Sequence, residues 1–410
     1  MDIFIGIIIG FLVLMFLVII HEFGHFIAAR KNGITVTEFG IGLPPRAIAW
    51  TKGKDGKWHK IPKSQWQPMG TKTDSLIISL NWLPLGGFCQ MLGESGSDKR
   101  PHTFGASSFL AKTKVLFAGV AMNWLFAIII FTVLAWTGMP TFINNQFTIK
   151  SDEHRADSTI IIGKIMEGSP AETAGFQPGD QIISIDGTHI ANLDDMDTAN
   201  EKNAGKDVVY TVSRPLTCDD CTEEHYITKD ILVTLNSADS DYLLGIVLNV
   251  SSPLARYTWS APIMGIGTTA QLTGETFYGV GKALWDLVSG TVRQVSFNET
   301  VREEGREALA SAANSVSGPI GILGILFPAF VADGVSSLAF LAALISVSLA
   351  CMNVLPIPAL DGGRWLMFFI CKLKHKTLSE EREASIVGKT FLGLIIFMII
   401  ITIIDIIRFF

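Results

Sequence analysis

The chain has 410 residues, of which 49% are hydrophobic and only 17% charged, where an average soluble domain carries roughly 25% charged residues. A mean hydropathy of +0.39 points the same way, to a membrane protein with a soluble part. A net charge of -6 offers no basic surface for nucleic acid, and the five cysteines are spaced for neither a disulfide framework nor a four-ligand zinc site.

Residues 3–20 form an apolar run interrupted only by two glycines. At about 1.5 Å per residue it covers roughly 27 Å, close to the thickness of a bilayer core. A signal peptide would need a positive n-region and a shorter apolar stretch, whereas this run follows Met1-Asp2, so it reads as a retained span. Residues 31–75 are polar and strand-like in places. The segment 79–92 is apolar but broken by Pro84, Gly86 and Gly87, which predicts two short strands around a turn. A second span is expected at 115–136, and 137–252 reads as ordinary soluble sequence. Residues 254–312 have helical periodicity with mixed polarity, as in a helix lying on a membrane or packed on a bundle. Pro319 and Pro328 interrupt 318–330, a bent approach to a third span at 335–354; a fourth follows at 390–407.

The basic residues fall on one side of these spans. Arg30, Lys31 and the lysines between Lys52 and Lys72 follow the first, Lys112 and Lys114 precede the second, and Arg364, Lys372, Lys374, Lys376, Arg382 and Lys389 separate the third from the fourth. The positive-inside rule puts all of them in the cytoplasm, with both termini and residues 137–334 outside.

The first span ends on His21-Glu22-Phe23-Gly24-His25, an H-E-x-x-H pattern. Ionisable groups inside a span are costly and mark function unless paired, metal-bound or beside water. Positions i and i+4 share a helix face, so both imidazoles can bind one metal ion, for which zinc is favoured. The glutamate between them suits a general base acting on water. A catalytic zinc takes three protein ligands. The candidate for the third is Asp361, in NVLPIPALDGGR (353–364), where Pro356 and Pro358 break the third span and Gly362-Gly363 permit a tight turn. Spans one and three both run inward, so His25 and Asp361 fall at similar depth.

HEFGH, NVLPIPALDGG and a soluble insertion between the second and third spans together resemble the site-2 protease family, zinc metalloproteases that cut substrates within the membrane. The resemblance covers most of the chain. It implies that His21, His25 and Asp361 bind Zn2+ and that Glu22 is the catalytic base. FGIGLPPRAIAW (39–50) and LPLGGFCQM (83–91) are similar to the family's membrane-entering β-elements, which implies substrate contacts at Gly86 and Gly87; such a sheet edge can take an unwound substrate as an added strand. Asn353 reads either as a residue holding substrate backbone, by the resemblance, or as an interhelical hydrogen bond. SGPIGI (317–322) also matches, without a chemical role.

GKIMEGSPAETAGFQPGDQIISIDGTHI (163–190) resembles a PDZ domain. Ser169-Pro170-Ala171 has the form of a capped helix start, Gly175 of its end, and strands are expected at QIISIDG, DVVYTVSR and DILVTLN. LLGIV (243–247) reads either as a peptide-carboxylate loop in a circularly permuted arrangement, with Leu244, Gly245 and Ile246 as binding residues, or as a closing strand. Cys218 and Cys221 read as a local disulfide or as two free thiols.

The expected fold is therefore a multi-pass α-helical membrane protein with about four transmembrane helices, membrane-associated β-elements and one extracytoplasmic α+β PDZ-like domain. Its parts are 1–136, 150–250, 254–330 and 331–410. The leading function is an intramembrane zinc endopeptidase in a bacterial cytoplasmic membrane. Its expected substrates, by resemblance, are single-span membrane proteins or signal-peptide remnants in regulated intramembrane proteolysis, with a peptide ligand for the PDZ-like domain. The alternative is a non-catalytic membrane scaffold that binds peptides, against which the glutamate of the H-E-x-x-H pattern speaks. A metal transporter would call for polar residues along several spans, which the sequence lacks.

Overall fold

A computed structural model describes all residues except 1, 54, 67–74, 95–97, 99, 142, 144, 156–158, 217–224, 238–239, 241, 252–253, 316, 377 and 410. Cys218 and Cys221 lie outside the described residues. The chain divides into two units, one of residues 1–136 with 259–410 and one of residues 137–258.

Helix α1 (Asp2–Lys31) continues well past the apolar run, so that His21, Glu22 and His25 lie within it rather than at its end. Arg30 and Lys31 occupy its last turn, where cations complement the helix dipole. Strands β1 (Val36–Lys52), β2 (Trp58–Lys60) and β3 (Ile77–Met91) form a sheet in the order β2-β1-β3. Both long strands are bent, β1 at Pro44-Pro45 and β3 near Pro84 and Gly86, whose φ of 77° suits a residue without Cβ. The bends interlock the arms. Glu38–Ile41 lies beside Gly87–Gln90 on one side and Ile77–Leu80 on the other, and Ile77–Asn81 in turn pairs with Arg46–Thr51. Residues 87–91 thus form an outer arm of the sheet. The buried Glu38 carboxylate is met by the Arg46 guanidinium, with Nε 2.9 Å from Oε1.

Helix α2 (Phe109–Thr137) begins earlier than the expected span, because Lys112 and Lys114 are helical. Lys112 is tolerated in the interior because its ammonium donates to the Gly105 carbonyl at 3.0 Å and lies over the rings of Phe104 and Phe368. The two helices approach closely: a Cβ on Gly24 of α1 would run into the backbone carbonyl of Ala118 in α2.

The second unit contains β4 (His154–Arg155), β5 (Thr159–Ile165), α3 (Pro170–Ala174), β6 (Gln181–Ile185), β7 (Thr188–His189), α4 (Leu193–Lys202), β8 (Asp207–Leu216), β9 (His225–Thr234), β10 (Ile246–Ser251) and β11 (Ala255–Arg256). Its main sheet runs β10-β5-β6-β8-β9, with β7 on β6, while β11 pairs with β4. The alternating inward residues Ile160, Ile162, Ile182, Val208, Tyr210 and Val212 pack with Phe176, Met196 and Leu244 into one core. Ser169 caps α3 by accepting from the Glu172 amide at 3.2 Å. The buried Asp180 carboxylate receives both Nε and Nη2 of Arg214, at 2.6 and 2.7 Å. Burial raises the Tyr210 phenol pKa although Asn200 accepts its hydrogen bond.

Helices α5 (Ala261–Gln294) and α6 (Glu299–Ser315) divide the periodic stretch after 254, with Gly290 of one against Gly305 of the other. Then follow α7 (Pro319–Gly321), a π-helical turn (Ile322–Leu326), α8 (Phe327–Ala332), α9 (Val335–Val354), α10 (Asp361–Leu373) and α11 (Glu380–Phe409). Gly6 and Gly10 of α1 lie against Pro328 and Phe327, where a Cβ would clash. Among the described residues, four helices, α1, α2, α9 and α11, are long and apolar enough to cross a membrane, and α6 with 319–332 forms a pair bent by 45°. Helix α11 starts ten residues before the expected 390 because Glu380–Lys389, though largely polar, contains no proline, and its one glycine, Gly388, is tolerated within the helix. Near its far end Asp405, 1% exposed, accepts from the amides of Gly318 and Gly321 at 3.2 and 2.9 Å. That gives SGPIGI a structural part: its amides hold a carboxylate of the last helix.

Candidate metal centre

His21 and His25 lie one turn apart on the same face of α1, as the i, i+4 spacing requires. Beyond α9, Leu355–Leu360 leaves the helical path, and Asp361 opens α10 with its carboxylate turned to both imidazoles. Gly362 and Gly363 permit this close turn, since a Cβ on either would overlap the backbone of Val354 or Ile357. His21 Nε2 lies 3.0 Å from Asp361 Oδ2 and 3.1 Å from His25 Nε2, and His25 Nε2 lies 3.3 Å from the same carboxylate oxygen. Nitrogen and oxygen donors at about 2.0–2.1 Å around a tetrahedral zinc stand about 3.3 Å apart. Two imidazoles and a carboxylate at these separations therefore fit a zinc ion and leave a position for substrate or water.

His25 is oriented from behind. Its Nδ1–H donates to the Val115 carbonyl of α2 at 2.8 Å, which reserves the Nε2 lone pair for a metal. His21 packs over Gly119, where a Cβ would stand only 2.6 Å from ring atoms Cε1 and Nε2. Neither Val115, which acts through its backbone, nor Gly119 carries a sequence signal of this role; only the helix-helix approach reveals it.

Glu22 has a carboxylate oxygen within 4.8 Å of an imidazole nitrogen of His21 and of His25. Its carboxylate lies near the Cys89 backbone of the outer arm of β3. Residues 87–91 pair with β1 along one edge, and among the described residues no strand pairs with the other. A cavity of about 510 Å³ opens here, lined by His21, Glu22, His25, Asp361, Asn353 and residues 88–91. Gly87 lies beside Glu22, 3.9 Å from Cβ position to Cγ, and Gly86 lies against Val18. Asn353 reaches the cavity, but its Nδ2 donates to Leu349 one turn back at 3.0 Å, a bond within its own helix rather than between helices.

Arg364 also lines the cavity, although the sequence marks it only as a cytoplasmic charge. Its guanidinium donates to the Glu94 carboxylate at 2.7 Å and to the Glu94 carbonyl at 3.2 Å, which ties the segment after β3 to α10. The only signal was its position three residues after Asp361.

In the second unit, Leu244 and Gly245 turn their carbonyls to the amides of Ala171 and Met166, both at 3.0 Å. Gly245 has φ 76°, and a Cβ there would strike Ser169. Ile246 begins β10, the outermost strand of the main sheet, paired on one side with Ile165 of β5.

Comparison with known proteins places these residues in context. The model of peptidase family M50 matches residues 9–62 and 69–399. A Clostridium perfringens protein named "putative zinc metalloprotease" is 28% identical over 392 residues, covering 95% of each chain. A Clostridium acetobutylicum protein of the same description is 26% identical and covers 98% of each. An Enterococcus faecalis protein named "probable protease eep" is 24% identical, over 96% of this chain and 97% of its own.

Proposed function

The chain belongs to peptidase family M50, and from that premise we propose that this zinc metalloprotease cuts peptide bonds in or near transmembrane segments of its substrates. The peptidase membership sets aside the non-catalytic scaffold. In this reading His21, His25 and Asp361 hold the zinc. Zinc, when bound, supplies Lewis acidity that polarises the scissile carbonyl and lowers the pKa of water. Glu22 removes the proton from the attacking water at its carboxylate and returns it to the leaving amine. The helix-breaking prolines before Asp361 and the cavity over the ligands admit water to an otherwise apolar helix bundle.

The observation that carries the reading is the convergence of Asp361 on the two imidazoles, from a segment 340 positions away in the chain. Substrate recognition follows from the sheet. A helix hides its carbonyls in its own hydrogen bonds, so a segment must unwind before it is cut. The free edge of residues 87–91 offers backbone partners to the unwound strand. Gly86 and Gly87 keep that arm close to α1, and Asn353 turns its carboxamide from Leu349 to substrate backbone. Single-span membrane proteins and signal-peptide remnants are the substrate classes, in regulated intramembrane proteolysis. The enzyme sits in a bacterial cytoplasmic membrane with both termini and residues 150–250 outside. That outer part acts as a PDZ-like domain, with Leu244, Gly245 and Ile246 receiving a peptide end beside the edge strand β10.

The test is cleavage of a panel of tagged single-span substrates in membranes by the native chain and by Glu22→Gln. The glutamine keeps the three metal ligands and removes the base. Product is expected to fall about 10²–10⁴-fold, the usual contribution of a general base, and to vanish with a zinc chelator. Equal product from both chains would exclude Glu22 from the chemistry.

A further inference from the structure

Among the described residues His25 has an orienting partner and His21 has none: His21 Nδ1 is buried without a hydrogen bond. To bind zinc through Nε2, an imidazole must carry its proton on Nδ1. Metal-binding histidines almost always donate that second N–H to a carbonyl, a carboxylate or a water. For His25 this acceptor is the Val115 carbonyl.

The packing of α1 on α2 locates a matching acceptor for His21. His25 meets Val115 and His21 meets Gly119, so numbers fall along α1 as they rise along α2, one turn at a time. The next turn brings Leu17 opposite Asn123, and both are fully buried. Asn123 is a carboxamide within an apolar helix, and among the described residues neither its Oδ1 nor its Nδ2 has a hydrogen-bond partner. Side chains on a helix lean toward its N-terminus. Because α1 and α2 are antiparallel, His21 leans toward the level of Asn123, and Asn123 leans toward the level of His21. Gly119 stands between them without a side chain to obstruct the approach. Two buried polar groups left unpaired on neighbouring helices are each costly alone.

We propose that Asn123 is a positioning residue: its carboxamide oxygen accepts the His21 Nδ1 hydrogen in the zinc-loaded protein, directly or through one buried water, and so fixes the tautomer that presents Nε2 to the metal. The inference rests on the zinc-protease reading of the His21–His25–Asp361 site. Asn123 touches neither zinc nor substrate, and its effect passes through His21.

The experiment measures zinc affinity by chelator competition on the purified full-length chain, carrying Glu22→Gln to silence proteolysis. Asn123→Leu, nearly isosteric and without an acceptor, is expected to weaken zinc binding about 10–100-fold, as loss of such outer partners does. The thermal midpoint of its zinc-free form should not fall, because two unpaired polar atoms are replaced by apolar ones. Asn123→Asp, which keeps an acceptor oxygen, should restore affinity to within a few-fold of the native residue. Ser346→Ala is the packing control: Ser346 donates to the Asn123 backbone carbonyl at 2.9 Å, not to its side chain, so its loss should leave zinc affinity alone. If Asn123→Leu fails to fold, Asn123→Ala repeats the test without added bulk. Native affinity in the acceptor-free variant, or an Asp variant as weak as the Leu variant, overturns the proposal. Absence of zinc binding by the parent chain would instead overturn the reading of the site itself, and this inference with it.

Discussion

Asp405 in α11 and Asp361 at the start of α10 are both carboxylates set among apolar helices, and they are satisfied in different ways. Asp405 receives two backbone amides, from Gly318 and Gly321, and is closed from solvent. Asp180 in the second unit is similar, with a two-pronged bond from Arg214 and an amide from Gln177. These carboxylates join one part of the chain to another. Asp361 faces two imidazole nitrogens, each a metal-ligand atom in its own right, on the wall of a cavity. Burial of charge alone therefore does not mark function. A carboxylate met by amides or guanidinium is a joint, whereas one met by other ligand atoms has capacity left for an ion.

The sharpest way to break this division is Asp361→Ala. It removes one ligand and its charge, so zinc affinity should fall by more than the roughly 100-fold upper range of outer-partner losses, with cleavage at background. Metal content after gel filtration measures it. Stoichiometric zinc in the variant would place the third ligand elsewhere. Asp180→Ala should instead leave zinc content unchanged. It leaves the Arg214 guanidinium, whose side chain is 13% exposed, with its bond to the Gly175 carbonyl but without its carboxylate, a loss of about 1.5–3 kcal/mol for hydrogen bonds to a charged group, read as faster hydrogen exchange across β6 and β8 in the full chain.

Gly119→Ala comes next. Its methyl would press on the His21 ring at 2.6–2.8 Å, and crowding of this kind costs about 1–3 kcal/mol, here expressed as weaker zinc binding as well as lower stability. Gly279→Ala in α5 has nothing within 4 Å of the new methyl and should stabilise the helix by up to about 1 kcal/mol. Zinc affinity in a chelator competition should separate the two glycines. Equal affinities would mean that the ring moves aside freely.

These residues also mark how far the amino-acid sequence could be read. The histidine pair and its glutamate are legible because helical spacing is a local property, and Asp361 because prolines and glycines punctuate the end of an apolar run. The third apolar stretch, 335–354, coincides with α9 for the same reason: apolar length between breakers is written directly in the chain. The interlocked arms of β1 and β3 were not legible, since Phe39 pairs with both Ile78 and Cys89 and such double pairing depends on contacts distant along the chain. Gly119 and Asn123 looked like incidental residues of a span. Their part emerges only when α1 lies against α2. The early start of α11 was hidden because its largely polar first ten residues carry no apolar period to mark a helix.

Asp405→Asn gives the smallest effect and the most direct contrast with Asp361. The asparagine retains one acceptor oxygen and turns an NH2 toward the other backbone amide, so one of Gly318 and Gly321 loses its partner. An unmet buried amide costs about 1–3 kcal/mol, and the loss should be local, because Asp405 joins α11 to the segment at 318–321 and nothing else that the metal needs. Hydrogen exchange at Gly318 and Gly321 should accelerate while zinc affinity stays at the native value. A fall in zinc affinity approaching that of Asp361→Ala would show that the joint and the metal centre are coupled through α1, on which the two histidine ligands and the contacts to 323–328 reside. Unchanged affinity would establish that α11 can loosen at this end without disturbing the ligand geometry.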